Sequence, residues 1–98
     1  MVNYDGYTLL WFREFEPCEE TINRICEKFK GCKRVEFYCL SLNVSKVEKG
    51  LLFETLTLED VYTLTDILKT TVKTSPYYYN FEDKYLYSIS RNKRFLWI

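Results

Sequence analysis

Two stretches of apolar side chains recur at the three- and four-residue spacing of an α-helix, and each is flanked by segments rich in β-forming residues. The first stretch predicts a helix over residues 17–30 and consists of Ile22, Ile25, Cys26 and Phe29. The second predicts a helix from a capping box at Thr57 and Asp60 to about residue 72, and consists of Val61, Leu64, Ile67 and Leu68. Because each apolar stripe must be buried against another element, the pattern restricts the chain to an α+β fold.

The strands predicted to bury these stripes cover residues 7–15, 34–42, 51–56 and 84–90. A polar connection over residues 43–49 joins the middle two, residues 77–79 predict a short additional strand, and residues 94–98 form either an extra C-terminal strand or a loose tail. The order strand, helix, strand, strand, helix, strand is that of a ferredoxin-like βαββαβ sandwich. Such a sandwich has a four-stranded antiparallel sheet with two helices on one face, and its other face is free to bind a partner.

The length and composition predict a single domain over residues 1–98, with a core at about 7–90 and a basic, aromatic C-terminal extension at 91–98. No apolar run approaches the roughly 20 residues of a membrane span, and the N-terminus lacks a signal-peptide pattern. We therefore expect an intracellular protein that makes no contact with a membrane. Lys and Arg number 14, as do Asp and Glu. The resulting zero net charge argues against strong non-specific binding to nucleic acid but permits a local basic patch.

The cysteines are widely spaced and the chain has no histidine. They are Cys18, Cys26, Cys32 and Cys39. With no Cys-x-x-Cys pair, free thiols that pack as small apolar side chains are favoured over a metal or disulfide cluster. We expect no metal and no cofactor. We also expect no enzymatic activity, because Cys18 has no obvious base partner and no motif fixes a pair of carboxylates.

Three motifs follow one another along residues 10–90. Residues 10–15 (LWFREF) combine one aliphatic and three aromatic side chains in the predicted first strand. The helix that follows and the segment after it carry a spaced pattern. Its residues are Glu19, Glu20, Ile22, Cys26, Phe29, Cys32, Val35 and Phe37. Residues 49–56 (KGLLFETL) keep the Lys-Gly start and the fifth-position aromatic of an eight-residue strand signature. Together these motifs resemble the RNA recognition motif (RRM) family. The chain looks like a divergent member in which the two strand signatures, RNP2 at residues 10–15 and RNP1 at 49–56, are degenerate.

The resemblance implies that single-stranded RNA lies across the free face of the sheet, where bases stack on aromatic rings and basic side chains hold phosphates. Carried over by position, the stacking residues are Trp11 and Phe53, with Leu51 at the third stacking position. Lys49 would contact a phosphate, and Arg13 shares a strand face with Trp11. The remaining implied site residues are Tyr38, either Tyr85 or Tyr87, Arg91, Lys93 and Arg94.

The predicted third strand has two possible registers, which differ in the side chains that face the core. In the family register Phe53 faces the free side, but Glu54 then faces the core, where an unpaired carboxylate is costly. A shift by one residue buries Leu51 and Phe53 and exposes Glu54. The shifted register removes Phe53 from the RNA platform.

A second function stays open beside RNA binding. The missing aromatic of the third-strand signature, the zero net charge and Glu54 all favour a protein-interaction module that keeps the RRM-like fold and does not bind RNA. Its partner would be another protein or a second copy of the chain, with residues 94–98 pairing across a homodimer interface.

Overall fold

The computed structural model describes residues 6–41, 44–71, 81–91 and 95–98. The elements of this part of the chain are, in order, β1 (Thr8–Trp11), α1 (Glu19–Lys28), β2 (Lys33–Ser41), β3 (Val44–Phe53), α2 (Leu58–Thr71), α3 (Phe81–Ser90) and β4 (Phe95–Trp97). None of the described helices is long and apolar enough to cross a membrane. The predicted strand at 77–79 lies outside the described residues, as do Lys93 and Arg94.

The strands form one mixed sheet in the order β2-β3-β1-β4. β2 and β3 form a long antiparallel hairpin, β1 pairs antiparallel with β3, and β4 runs parallel to β1. The prediction of a ferredoxin-like antiparallel sandwich with two helices is therefore wrong. The chain is α+β, but its sheet is mixed and the described residues contain three helices.

The error arises at residues 84–90, which are part of α3 and not a strand. Their aromatic and β-branched side chains favour a strand, yet Phe81, Tyr85 and Ser88 recur at helical spacing and all three are buried. The acidic pair that follows Phe81 lies in the first turn of the helix, where the helix dipole favours negative charge. Because α3 carries the chain across the molecule once more, the next strand enters the sheet parallel to β1.

A second difference concerns residues 43–49, which were predicted to be a connection. Residues 44–49 belong to β3, which pairs with β2 from Lys33 opposite Leu52 to Ser41 opposite Val44. Lys46, Val47 and Lys49 are all exposed. This end of the hairpin is solvated on both faces, so the alternation of polar and apolar residues that marks a half-buried strand is missing.

One face of the sheet is buried against the helices. Leu10 of β1 lies opposite both Leu51 of β3 and Leu96 of β4, and all three are 0% exposed. The helices contribute Ile22, Ile25, Val61, Leu64, Leu68, Phe81 and Tyr85 to the same cluster. Leu96 and Ile98 are both buried, so the C-terminal residues also contribute side chains to this cluster.

α3 covers the outer edge of β4. The amide of Ile98 donates to the Trp11 carbonyl on the inner side of β4, so the carbonyls of Phe95 and Trp97 point to the outer side. Ser88 Oγ donates to the Phe95 carbonyl at 2.7 Å, and Lys84 Nζ donates to the Trp97 carbonyl at 3.0 Å. Four helical residues advance about as far as two strand residues, which brings both donors into register. Pairing of this edge with a second copy is therefore blocked.

Candidate functional site

The sheet face opposite the helices carries four partly exposed aromatic side chains. They are Trp11, Phe37, Phe95 and Trp97, here called the aromatic face. Trp11 lies directly opposite Trp97 in the parallel pair of strands, so both indoles lie on the same face of the sheet. None of the four belongs to the buried core cluster.

The rings of the aromatic face contact one another, and the contacts made by Trp11 are edge to face. The Trp11 ring lies 6.0 Å from Phe37 and 6.5 Å from Phe95, at interplanar angles of 68° and 69°. Phe95 in turn lies 5.8 Å from Trp97. These are favourable aromatic geometries, and they help to fix the orientation of each ring.

Basic side chains lie over the tryptophan rings. The guanidinium carbon of Arg13 is 5.5 Å from the centroid of Trp11, and Lys84 Nζ is 5.2 Å from that of Trp97. Arg91, which directly follows α3, lies 5.6 Å from the ring of Tyr87. Each distance falls within the range of a cation–π interaction. Aromatic rings and positive charges therefore alternate over this part of the surface.

A hollow of about 590 Å³ opens between the aromatic face and α3. It is lined by Trp11, Arg13, Asp83, Lys84, Tyr87, Phe95 and Trp97. Partial burial lowers the pKa of Lys84, and Glu14 opposes that shift. The hollow therefore combines three aromatic surfaces from the sheet with two cations and one carboxylate.

Three of the predicted site residues come together in this hollow. Trp11 lies on the aromatic face, Arg13 stacks over it, and Tyr87 reaches the hollow from α3 rather than from a fourth strand. Arg91 lies one turn further along, over the Tyr87 ring. The alternative residue Tyr85 is buried, and its hydroxyl donates to the Leu56 carbonyl.

Four other predicted site residues lie elsewhere. Leu51 is 0% and Phe53 2% exposed, and Phe53 packs against Phe29 at 5.4 Å, so the assignment of both to a stacking platform is wrong. The reason is the register: β3 adopts the shifted alternative, in which Glu54 is exposed. Lys49 and Tyr38 lie on the face opposite the aromatic rings, and Lys49 Nζ is 3.9 Å from a carboxylate oxygen of Glu16.

The packing of the sheet explains why residue 50 is a glycine. It lies opposite Trp11, and a Cβ at this position would collide with the backbone carbonyl oxygen of Leu10. The glycine therefore permits the close approach of β1 and β3. It also leaves the aromatic face without a side chain next to Trp11.

Sequence reasoning missed Lys84, Phe95 and Trp97. The alternation of Phe95, Leu96 and Trp97 indicates that Phe95 and Trp97 share a strand face. Nothing in the local sequence shows that this strand lies next to β1. Phe37 was singled out only for its spacing in the helix-exit pattern.

Among the described residues, no group of three or more Cys, Asp or Glu side chains is arranged to hold a metal ion. Comparisons with protein-family models, with curated proteins and with solved structures find no match to this chain. The resemblance to the RRM family therefore stays a prediction.

Proposed function

We propose that the protein binds single-stranded RNA on the aromatic face, with bases stacking on Trp11 and Trp97. The observation that carries the proposal is the pairing of each indole with a cation, Arg13 over Trp11 and Lys84 over Trp97. Surfaces that bind single strands combine aromatic rings for the bases with positive charge for the backbone. The proposal includes the intracellular location expected from the sequence, where such RNA is found.

In this proposal each side chain of the site has a role. A base that stacks on Trp11 takes the place of the Arg13 guanidinium, which then lies beside the adjoining phosphate. At Trp97 the cation beside the base is Lys84, and Arg91 extends the positive charge beyond the end of α3 from Tyr87. Phe37 and Phe95 support the Trp11 ring from two sides and keep its orientation fixed.

A protein partner is the second candidate. It is favoured by Asp83, a carboxylate inside the hollow, and by the zero net charge of the chain, because both weaken the attraction for phosphate. The Asp83→Asn substitution separates the two candidates. It removes negative charge from the hollow and is expected to tighten RNA binding.

The decisive experiment titrates a labelled single-stranded RNA with the wild-type protein and follows fluorescence anisotropy. Trp11→Ala and Trp97→Ala should each weaken binding by about 1–3 kcal/mol, or roughly 5- to 150-fold. Both tryptophans of the chain lie on the aromatic face, so quenching of intrinsic fluorescence is a second readout. Far-UV circular dichroism confirms that each variant is folded.

Tyr38→Ala is the matched control. Tyr38 is 80% exposed but lies on the opposite face of the sheet, so its loss should leave RNA affinity unchanged. Folded wild-type protein that does not bind at low salt would disprove the proposal. Equal affinities of wild type, Trp11→Ala and Trp97→Ala would also disprove it.

A further inference from the structure

Two cysteines outside the aromatic face are close together. Cys26 lies in the last turns of α1 and Cys32 immediately precedes β2. Their Sγ atoms are 3.6 Å apart, and both side chains are half-buried. Cys18, by contrast, is exposed and its thiol contacts the hydroxyl of Thr21.

The turn between the two cysteines is held by backbone interactions. The amide of Phe29 donates to the Ile25 carbonyl, and the amide of Cys32 donates back to the Phe29 carbonyl. Gly31 adopts a φ of +80°, a conformation that favours glycine. The turn therefore brings the two sulfurs into contact.

We propose that Cys26 and Cys32 are a modification site: a dithiol pair that a low-molecular-weight disulfide, such as oxidised glutathione, converts to an intramolecular disulfide. The Cys26 thiolate attacks one sulfur of glutathione disulfide, which forms a mixed disulfide and releases one glutathione thiolate. The Cys32 thiol then loses its proton and attacks the Cys26 sulfur, which releases the second glutathione. The two cysteines lose two protons and two electrons, and the glutathione disulfide is reduced to two thiols.

The environment of Cys32 supports this order of attack. Burial, together with the hydrogen bond and charge of the neighbouring Cys26, raises the pKa of Cys32 to about 12. Because the thiolate is the nucleophile, the first attack is assigned to Cys26. Once Cys26 is in a mixed disulfide, its thiol no longer opposes ionisation of Cys32, and the second attack becomes easier.

Tryptic mapping tests the proposal directly, because each of the four cysteines falls in a different tryptic peptide. The folded protein is incubated with oxidised glutathione, its remaining thiols are alkylated, and it is digested without reduction. We expect the peptides 25–28 and 31–33 to be joined, so that neither Cys26 nor Cys32 is alkylated. Exposed Cys18 forms a mixed disulfide with glutathione and shows that the reagent is active.

Cys32→Ser is the matched variant, with Cys18→Ser as its control. In Cys32→Ser the reaction should stop at a glutathione adduct on Cys26, whereas Cys18→Ser should still join the two peptides. The proposal is overturned if wild-type protein accumulates the same Cys26 adduct as Cys32→Ser. It is also overturned if both thiols stay fully alkylatable while Cys18 reacts.

Discussion

At the scale of single residues, the hydroxyl of Tyr85 is a polar group on a buried side chain of the core. Tyr85 is 1% exposed, and its hydroxyl donates to the Leu56 carbonyl at 2.7 Å. The bond joins α3 to the segment that leads from β3 into α2. It also satisfies a carbonyl that the surrounding apolar side chains would otherwise isolate.

Removal of this hydroxyl should destabilise the protein. Tyr85→Phe leaves the Leu56 carbonyl without that donor, and we expect the free energy of unfolding to fall by about 1–2 kcal/mol. Urea denaturation followed by circular dichroism measures the change. Tyr87→Phe is the control, because Tyr87 is 47% exposed and its loss of a hydroxyl should change stability by less than about 0.5 kcal/mol.

Cys32 gives a prediction for alkaline pH. Its pKa rises on folding from an ordinary value of 9.0 to about 12, mainly through burial. Between these values the unfolded chain releases the thiol proton and the folded chain keeps it. The contribution of Cys32 to the free energy of unfolding should therefore be fully present below pH 9. The free energy of unfolding should decrease as the pH rises from 9 towards 12.

Comparison with Cys32→Ala isolates the effect from other groups that titrate at alkaline pH. The stability of this variant should decrease less steeply than that of the wild type between pH 9 and pH 12. Cys18→Ala should keep the wild-type slope between pH 9 and pH 12. Hydrogen bonds from Thr21 lower the pKa of Cys18, so folding does not hold the proton on this thiol at alkaline pH. Identical slopes for wild type and Cys32→Ala would show that the thiol ionises equally in both states.

At the scale of elements, the contact between α3 and β4 should contribute measurably to the free energy of unfolding. Ser88 is 1% exposed and its Oγ donates to the Phe95 carbonyl at 2.7 Å. Ser88→Ala should lower the free energy of unfolding by about 1–2 kcal/mol, because the carbonyl loses a buried donor. Ser90→Ala is the matched control: the Ser90 hydroxyl bonds to the Tyr87 carbonyl at an exposed site, and its loss should be nearly neutral.

α1 and α2 were predictable because their signals are local. Each has a one-sided apolar stripe, and the capping box of α2 is present as predicted, with Thr57 Oγ1 accepting from the Asp60 amide and the Asp60 carboxylate accepting from the Thr57 amide. The bounds of α1 lie within the predicted helix, and Gly31 follows its end.

α3 was not predictable in the same way, because residues 84–90 fit both the helical and the strand period. Its helical state is supported by the bonds from Tyr85 to Leu56 and from Ser88 to Phe95, which join it to other parts of the chain. The residues of the candidate site also differ in whether their signal is local. Trp11 and Arg13 lie on one short segment and were identified together, whereas Trp97 depends on the pairing of β4 with β1.

At the scale of the whole molecule, the zero net charge limits how strongly salt should affect RNA binding. The cations assigned to the RNA backbone are Arg13, Lys84 and Arg91. Each phosphate neutralised on a single strand contributes about −0.7 to the slope of log K against log salt concentration, so three contacts give a slope of about −2. Titrations at several salt concentrations measure it.

A substantially steeper slope would mean that phosphates contact basic residues beyond this set. A slope near zero would indicate that the cations stay on their aromatic rings and that binding depends on stacking alone. Arg13→Ala should reduce the magnitude of the slope by about 0.7, whereas Lys49→Ala, on the opposite face, should not change it.

The cover that α3 places over β4 also limits how copies of this chain can associate. Within the described part of the molecule, β2 is the outer strand that remains open on one side. A polymer built by adding strand to strand needs two open edges per subunit, one to join the growing end and one to receive the next copy. With a single open edge, two copies that meet through β2 complete each other and leave no site for a third. Edge-to-edge association of this fold would therefore end at a pair and would not continue into a fibre.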